Sequence, residues 1–218
     1  GRRDDHENFF TARMLLLLES YCLYGKADFD EVTSEIVNSY FKDYPDHKQT
    51  FQPTFLLNDI CRYWKTILLN YENKRTLRQE GKDYEQRKIR QKVKNFKLKY
   101  SRMTTCYASI ASLGSYLAPV TVENIVDLIK LTPRQRLESI PQRIHQTKPV
   151  INEVLDGYAW FLEMTGLKTS EIEEHFSDKQ KRGEMFGKAN MFGDSMFRLL
   201  QTIDQSDPKL KLLRYLVI

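Results

Sequence analysis

The chain has 218 residues, which is long enough to bury a hydrophobic core, and it carries a net charge of +5 with a pI near 9.0. Hydrophobic residues make up 41% of it and charged residues 29%, a balance that excludes a wholly disordered chain. Only 9 glycines and 7 prolines interrupt a sequence rich in strong helix formers, so we expect a mainly helical fold.

Apolar residues recur at helical spacing through most of the chain, with capping residues, glycines and prolines at the breaks. The pattern predicts an all-α fold, a bundle of eight to ten helices without a substantial sheet. We expect Gly25 to end the first helix, Asp28 to cap the second, and three glycines within 183–193 to loosen the chain before the ninth. The predicted helices are 8–24, 28–44, 53–75, 83–116, 122–131, 133–140, 150–164, 170–176, 194–205 and 207–218.

Gly114, Pro119 and a capping Thr121 mark a break in the middle of the chain. We place a domain boundary there. Residues 1–118 form a helical domain that carries the two polar stripes analysed below, and residues 119–218 form a second helical subdomain packed on the first.

The three cysteines, Cys22, Cys61 and Cys106, lie within apolar helical patterns. Their number is odd, no CxxC pair occurs and their spacing fits no zinc site, so we expect reduced thiols in a cytoplasmic protein. The longest apolar run, 14–18, is far shorter than the ~20 residues of a membrane span, and no membrane partner is expected.

The third predicted helix carries a polar row opposite its packing face. Asn58, Arg62 and Lys65 share one side at i, i+4 and i+7. An ordinary solvated face is one interpretation, although such a face usually mixes Glu with Lys. A row of amide, guanidinium and ammonium groups suits a phosphate, and these three residues are the candidate nucleotide- or phosphate-binding site. The packing face is formed by Leu56, Ile60, Trp64, Ile67, Leu68 and Tyr71.

The segment RKIRQKVKNFKLKYSR, residues 87–102, holds eight basic residues and no acid. Such like charges repel one another within a helix, which favours a phosphate-bearing partner such as nucleic acid over a solvated charge run or an acidic surface elsewhere in the fold. The packing seam is predicted at Ile89, Val93, Phe96, Tyr100, Met103 and Tyr107. The candidate nucleic-acid-binding residues flank it in two rows, Arg87, Arg90, Lys94 and Lys97 on one side and Lys88, Lys92, Lys99 and Arg102 on the other.

Signatures of common active sites are absent from the sequence. The four histidines are far apart and form no HExxH, and no GxSxG, GxxxxGK[ST] or GxGxxG occurs. We therefore assign no catalytic residue and no metal ligand.

The string LLNDICRYWKT, residues 56–66, resembles the helix that follows the catalytic sheet in DNA-polymerase-β-like nucleotidyltransferases, a family that includes poly(A) polymerases and bacterial relatives. Arg62, Trp64 and Lys65 match its basic-x-Trp-basic pattern. With ENFFTARMLLLLESYCLYG before it and a basic helix ending KLKYSRM after it, the stretch 8–115 looks like the helical C-terminal part of bacterial nucleotidyltransferases, some of which belong to anti-phage defence loci.

The family's catalytic Gly-Ser loop and three carboxylates do not occur in this sequence, so the resemblance implies a substrate-positioning role without catalysis by this segment. The chain lacks an initiator Met, and we expect that the core either lay upstream or never belonged to it. With such a core, or a partner protein supplying it, Asn58, Arg62 and Lys65 would form a wall of the nucleotide cleft. Mg²⁺ and a nucleoside triphosphate would be bound, although this segment alone is expected to need no cofactor.

Two further hypotheses stay open from the sequence. The chain is a stand-alone helical RNA- or DNA-binding module, or it is a protein-interaction module whose basic helix docks on an acidic partner.

Overall fold

A computed structural model describes residues 9–76, 84–207 and 211–216, and it is 81% helical with no strand in those ranges. The all-α prediction is confirmed, and the described residues form ten helices when two segments that follow one another without a break, 84–97 and 103–114, count as one rod. In chain order the helices are α1 (Phe9–Glu19), α2 (Lys26–Asn38), α3 (Thr54–Thr76), α4 (Tyr84–Lys97), α5 (Met103–Gly114), α6 (Val122–Ile129), α7 (Pro133–Arg143), α8 (Lys148–Gly166), α9 (Thr169–Ser177), α10 (Lys179–Asp204) and α11 (Leu212–Tyr215). None of these helices is long and apolar enough to cross a bilayer.

Helix α5 lies at the centre of the fold, where α1, α3, α6, α7 and α10 pack around it. A π-helical turn, Leu98–Arg102, joins it to α4 without a break. Its buried residues are mostly small, which lets neighbouring helices approach closely. Their hydroxyl groups are satisfied within the helix, because Thr104 donates to the Tyr100 carbonyl at 2.7 Å and Ser109 donates to the Thr105 carbonyl at 2.8 Å.

Arg136 on α7 is 1% exposed, and no carboxylate of the described residues pairs with it. Its guanidinium donates to the Leu128 and Ile129 carbonyls, both at 3.2 Å, and to the Leu18 carbonyl at 3.3 Å. A fourth bond of 2.7 Å reaches the Ser109 hydroxyl on α5. Since these carbonyls end α1 and α6, the cation sits at the negative ends of two helix dipoles.

The first two helices are shorter than the sequence predicts. Helix α1 ends at Glu19 because the Leu18 carbonyl, which another turn would use, accepts from Arg136. Gly25 does not end it; with φ of 68° it is the N-cap of α2, so Asp28 lies in the first turn rather than at the cap. Cys22 consequently lies in the connection and not in a helix core.

Helix α2 ends at Asn38 rather than at residue 44. The chain turns there and brings three aromatic rings together. Phe51 lies 4.7 Å from Phe41 and 5.3 Å from Tyr44, measured between ring centroids. Burial of this cluster outweighs the local helical periodicity.

Prolines and glycines interrupt the second half less than predicted. Pro141 lies inside α7, which continues to Arg143 because that guanidinium bonds the hydroxyls of Ser112, Ser115 and Ser139. The predicted loose stretch at 183–193 is wrong, since it belongs to the 26-residue α10. Side chains buried at helical spacing hold α10 against its neighbours and outweigh the glycine cost of about 1 kcal/mol each. They include Met185, Ala189, Phe192, Met196 and Leu199.

The last helix, α11, begins at Leu212 instead of residue 207. Leu212 is 1% exposed and covers Gly114 so closely that a Cβ there would lie 2.5 Å from its side chain. The predicted helix starts at residues 8 and 83, and part of the predicted start at 207–208, lie outside the described residues.

One continuous hydrophobic core contains residues from both sides of the predicted boundary at 118, among them Met14, Ile110, Ile140 and Leu199. The division into 1–118 and 119–218 stays a prediction.

We expect Arg136→Met to lower the free energy of unfolding by about 3 kcal/mol, because it leaves several buried carbonyl groups without a donor. Urea denaturation followed by circular dichroism at 222 nm measures this. The control is Arg134→Met on the same helix, which removes only an exposed pair with Glu138 and should cost less than about 0.5 kcal/mol. Equal losses in the two variants would contradict the role of Arg136.

We expect Cys106 to resist thiol reagents in the folded protein. Burial raises its pKa to about 12, so at pH 8 only about one molecule in ten thousand carries the reactive thiolate. The raised pKa favours the folded state fully below pH 9, the ordinary value, and this contribution fades as the pH rises towards 12. Mass spectrometry after iodoacetamide treatment should find Cys22 modified and Cys106 unmodified, with all three cysteines modified in guanidinium chloride. Native modification of Cys106 at the rate of Cys22 would contradict this.

Candidate nucleic-acid interface

The packing seam predicted along the rod is confirmed. Phe96 and Tyr100 are fully buried, and the other four seam residues are half-buried against the core. Tyr100 stacks on Phe161 and Phe192 at centroid distances of 4.7 and 4.5 Å. The seam aromatics are therefore core residues, and their ring faces are not available to stack on bases.

The outer row of the rod is only partly neutralised. Arg90 pairs with Glu173 of α9 at 3.0 Å, whereas Lys94 and Lys97 are exposed and form no ion pair with any described residue. Arg87, the fourth member, is half-buried. This row lies beside α9, whose sequence holds three glutamates, so its charge is partly offset by the neighbouring helix.

The inner row divides at the π turn. Lys88, Lys92 and Lys99 stay on the side of the rod near α10, but Arg102 pairs with Glu19 at the end of α1. A π turn adds a residue to the helical turn and shifts the positions that follow it. Arg102 consequently serves the packing of α1 against the rod and does not continue the row.

Lys92 is a half-buried cation of the inner row. Burial and the nearby charges of Arg182 and Lys88 lower its pKa, and Glu85 offsets this only in part. Arg182 is fixed in place because its guanidinium donates to the Phe176 carbonyl at 3.0 Å. Three positive groups therefore stand close together where α4 meets the start of α10.

Lys99 extends this cluster along α10. Its ammonium donates to the Asn190 side-chain oxygen at 3.0 Å and lies 5.6 Å from the centre of the Phe186 ring. We name Lys88, Lys92, Lys99 and Arg182 the α4–α10 basic face. It runs for about 16 Å along the rod, from the rise of a helix per residue.

Arg182 was missed from the sequence because it falls between the predicted helices 170–176 and 194–205, just before the stretch 183–193 that the glycines predict to be loose. The signal that could have revealed it is Asp178, which caps α10 by accepting from the Lys181 amide at 2.8 Å and so places the run KQKR in a helix.

The predicted row on α3 is placed at helix junctions. The amide group of Asn58 donates to the Thr54 carbonyl at 3.0 Å and to the Tyr215 carbonyl at 2.8 Å, so both of its N–H bonds are used. Arg62 is exposed and lies 4.3 Å from the centre of the Phe10 ring. Lys65 is exposed near the Cys61 thiol.

The α3 row and the α4–α10 basic face consequently meet different helices. Asn58 contacts α11 and Arg62 contacts α1, whereas the basic face lies along α10. Within the described ranges, no group of three or more His, Cys, Asp or Glu residues is placed to hold a metal ion.

We expect Asn58→Ala to destabilise the fold by about 1 to 2 kcal/mol, because it leaves the Tyr215 carbonyl without its donor and loosens α11. Lys65→Ala on the same helix is the control and should change stability by less than about 0.5 kcal/mol. Thermal unfolding by calorimetry measures both variants. An Asn58→Ala protein as stable as the wild type would return Asn58 to the candidate phosphate ligands.

No family model matches the chain, and no curated protein or solved structure is significantly similar to it.

Proposed function

We propose that the protein binds nucleic acid through the phosphate backbone, on the α4–α10 basic face. The observation that carries the proposal is the placement of Lys92, half-buried between Lys88 and Arg182, where Glu85, paired with Lys88 at 3.9 Å, offsets the three cations only in part. Like charges held together oppose folding, and a bound phosphate would remove that cost. If the rod carried only a solvated charge run, nothing would explain why Lys92 is partly removed from water.

The geometry favours contact with phosphates over reading of bases. The seam aromatics are buried, so stacking is not available to them, and ammonium groups act as point charges without a fixed direction. Lys94 and Lys97 on the outer row are exposed and can add contacts to a longer strand. We therefore expect binding without sequence preference and with a strong dependence on salt.

Binding is measured by the fluorescence anisotropy of labelled 20-nucleotide single-stranded RNA and DNA over a series of salt concentrations. Four phosphate contacts predict a slope of log K against log salt of about −3 for single strands. Lys92→Met with Lys99→Met should make this slope shallower by about 1.4 and should weaken binding of every sequence to the same extent.

The matched control is Lys42→Met with Lys148→Met, which removes the same charge from exposed positions on other elements. It should bind as the wild type does once net charge is taken into account. Equal losses in the two double variants would show attraction by net charge alone and would overturn the proposed face. Absence of binding at low salt would leave the protein-interaction module with its acidic partner.

The nucleotidyltransferase role implied by the resemblance stays a prediction. The same assay addresses it when ATP and Mg²⁺ are added to wild type and to Arg62→Ala with Lys65→Ala. An effect of ATP that disappears only in this double variant would support a nucleotide cleft on α3, and no effect of ATP would count against it.

A further inference from the structure

Helices α8 and α10 enclose a groove of about 760 Å³ that is separate in its chemistry from the basic face. Its floor is apolar and aromatic, formed by Trp160, Phe192 and the Tyr100 side chain. Gly157 contributes by having no side chain, since a Cβ there would lie 3.0 Å from the Phe192 ring. The volume lies within the range typical of sites for small organic molecules.

Tyr100 gives the groove an unused polar group. The residue is 1% exposed, yet its hydroxyl makes no hydrogen bond with any described residue. The ring of Tyr100 is buried, but its hydroxyl oxygen is not among the buried atoms that lack a partner, so it keeps access to water at the groove. A hydroxyl that is left over on the floor of a groove is a ready partner for a ligand.

The rim of the groove carries an excess of negative charge. Glu153 is neutralised by Arg198 and accepts a bond from Ser195 at 3.2 Å. Asp156 and Asp194 form no ion pair with any residue in the described ranges. Once the Glu153 pair is set aside, two carboxylates face one remaining cation, Lys188.

The aromatic floor of the groove already contacts one cation, the ammonium group of Lys188. Its ammonium lies 4.3 Å from the centre of the Trp160 ring, a cation–π contact. The side chain is exposed and long, so it can move away from the ring at little cost. The ring face is thus occupied by a cation of the protein itself, which a ligand cation could replace.

We infer that this groove binds an organic ammonium ion with an apolar body. The ammonium takes the place of Lys188 over Trp160, where Asp156 and Asp194 attract it. The apolar body lies along the groove against the exposed side chain of Met191, and the Tyr100 hydroxyl at the floor supplies a hydrogen bond to a polar atom of the ligand.

Isothermal titration calorimetry with 2-phenylethylamine tests the inference, and 3-phenylpropionate serves as the probe of similar shape and opposite charge. We expect the amine to bind at least about tenfold more tightly than the carboxylate, from the loss of charge-assisted contacts. Equal binding of the two compounds, or no heat from the amine at millimolar concentration, would overturn the inference.

Two substitutions in the groove should change amine affinity in opposite directions. Asp156→Asn with Asp194→Asn should weaken amine binding about tenfold, whereas Lys188→Met should tighten it because it removes the internal competitor. A purely structural role for Lys188 predicts no tightening. Weaker amine binding by Lys188→Met would refute the assignment, because it would show that Lys188 supports the site and does not compete with the amine.

Controls separate these effects from general charge and from folding. Glu31→Gln with Glu163→Gln makes the same charge change at exposed positions outside the groove and should leave amine affinity unaltered. Each variant is accepted only if its melting temperature stays within a few degrees of the wild type. A loss in this control equal to that of the Asp156 and Asp194 variant would show nonspecific attraction and would refute the site.

Discussion

A cation without a carboxylate partner organises the centre of this fold. Arg136 on α7 is buried, and each of its three guanidinium nitrogens donates to groups of other helices. These groups belong to α1, α5 and α6, and those of α1 and α6 lie at helix ends. Burial lowers the pKa of this guanidinium to about 10, because the site is unfavourable for charge. The carbonyl groups of α1 and α6 offset that cost, because the negative ends of their dipoles point at the cation. The position where the chain leaves α1 is therefore determined by a residue more than a hundred positions later in the sequence.

The periodicity of the chain was enough to predict the helical class and the face on which the rod packs, because a seam at spacings of three and four residues has one geometric solution. It failed where a distant partner decides the outcome. The glycines of α10 indicate a break when they are considered alone, yet buried neighbours such as Phe192 and Met196 keep the helix intact. From its helical position Asn58 is expected to be a surface donor, but in the fold its amide donates to the Tyr215 carbonyl of α11. Local pattern contains no information about such long-range contacts.

The sequence was insufficient for the candidate interface for the same reason. The eight cations of the rod look equivalent in sequence, but the structure gives them different environments. Arg90 and Arg102 are paired with acids of α9 and α1, and Lys88 pairs with Glu85 at 3.9 Å. Lys92 and Lys99 near α10, and Lys94 and Lys97 on the outer row, form no ion pair with any described residue. The π turn contributes to this difference, since it separates Arg102 from the lysines that precede it. Sequence could identify the basic helix, whereas the choice of its functional side required knowledge of which helices pack beside it.

The seating of Leu212 on Gly114 has a consequence for the order of assembly. The final helix has only four residues, too few to be stable alone, so it can form only on a surface that already exists. That surface is the end of α5, which is itself complete only after the surrounding helices have packed. Helix α11 is therefore expected to be among the last parts to become ordered during folding and among the first to detach during unfolding. Whether α11 is bound therefore indicates whether the end of α5 beneath it has packed correctly.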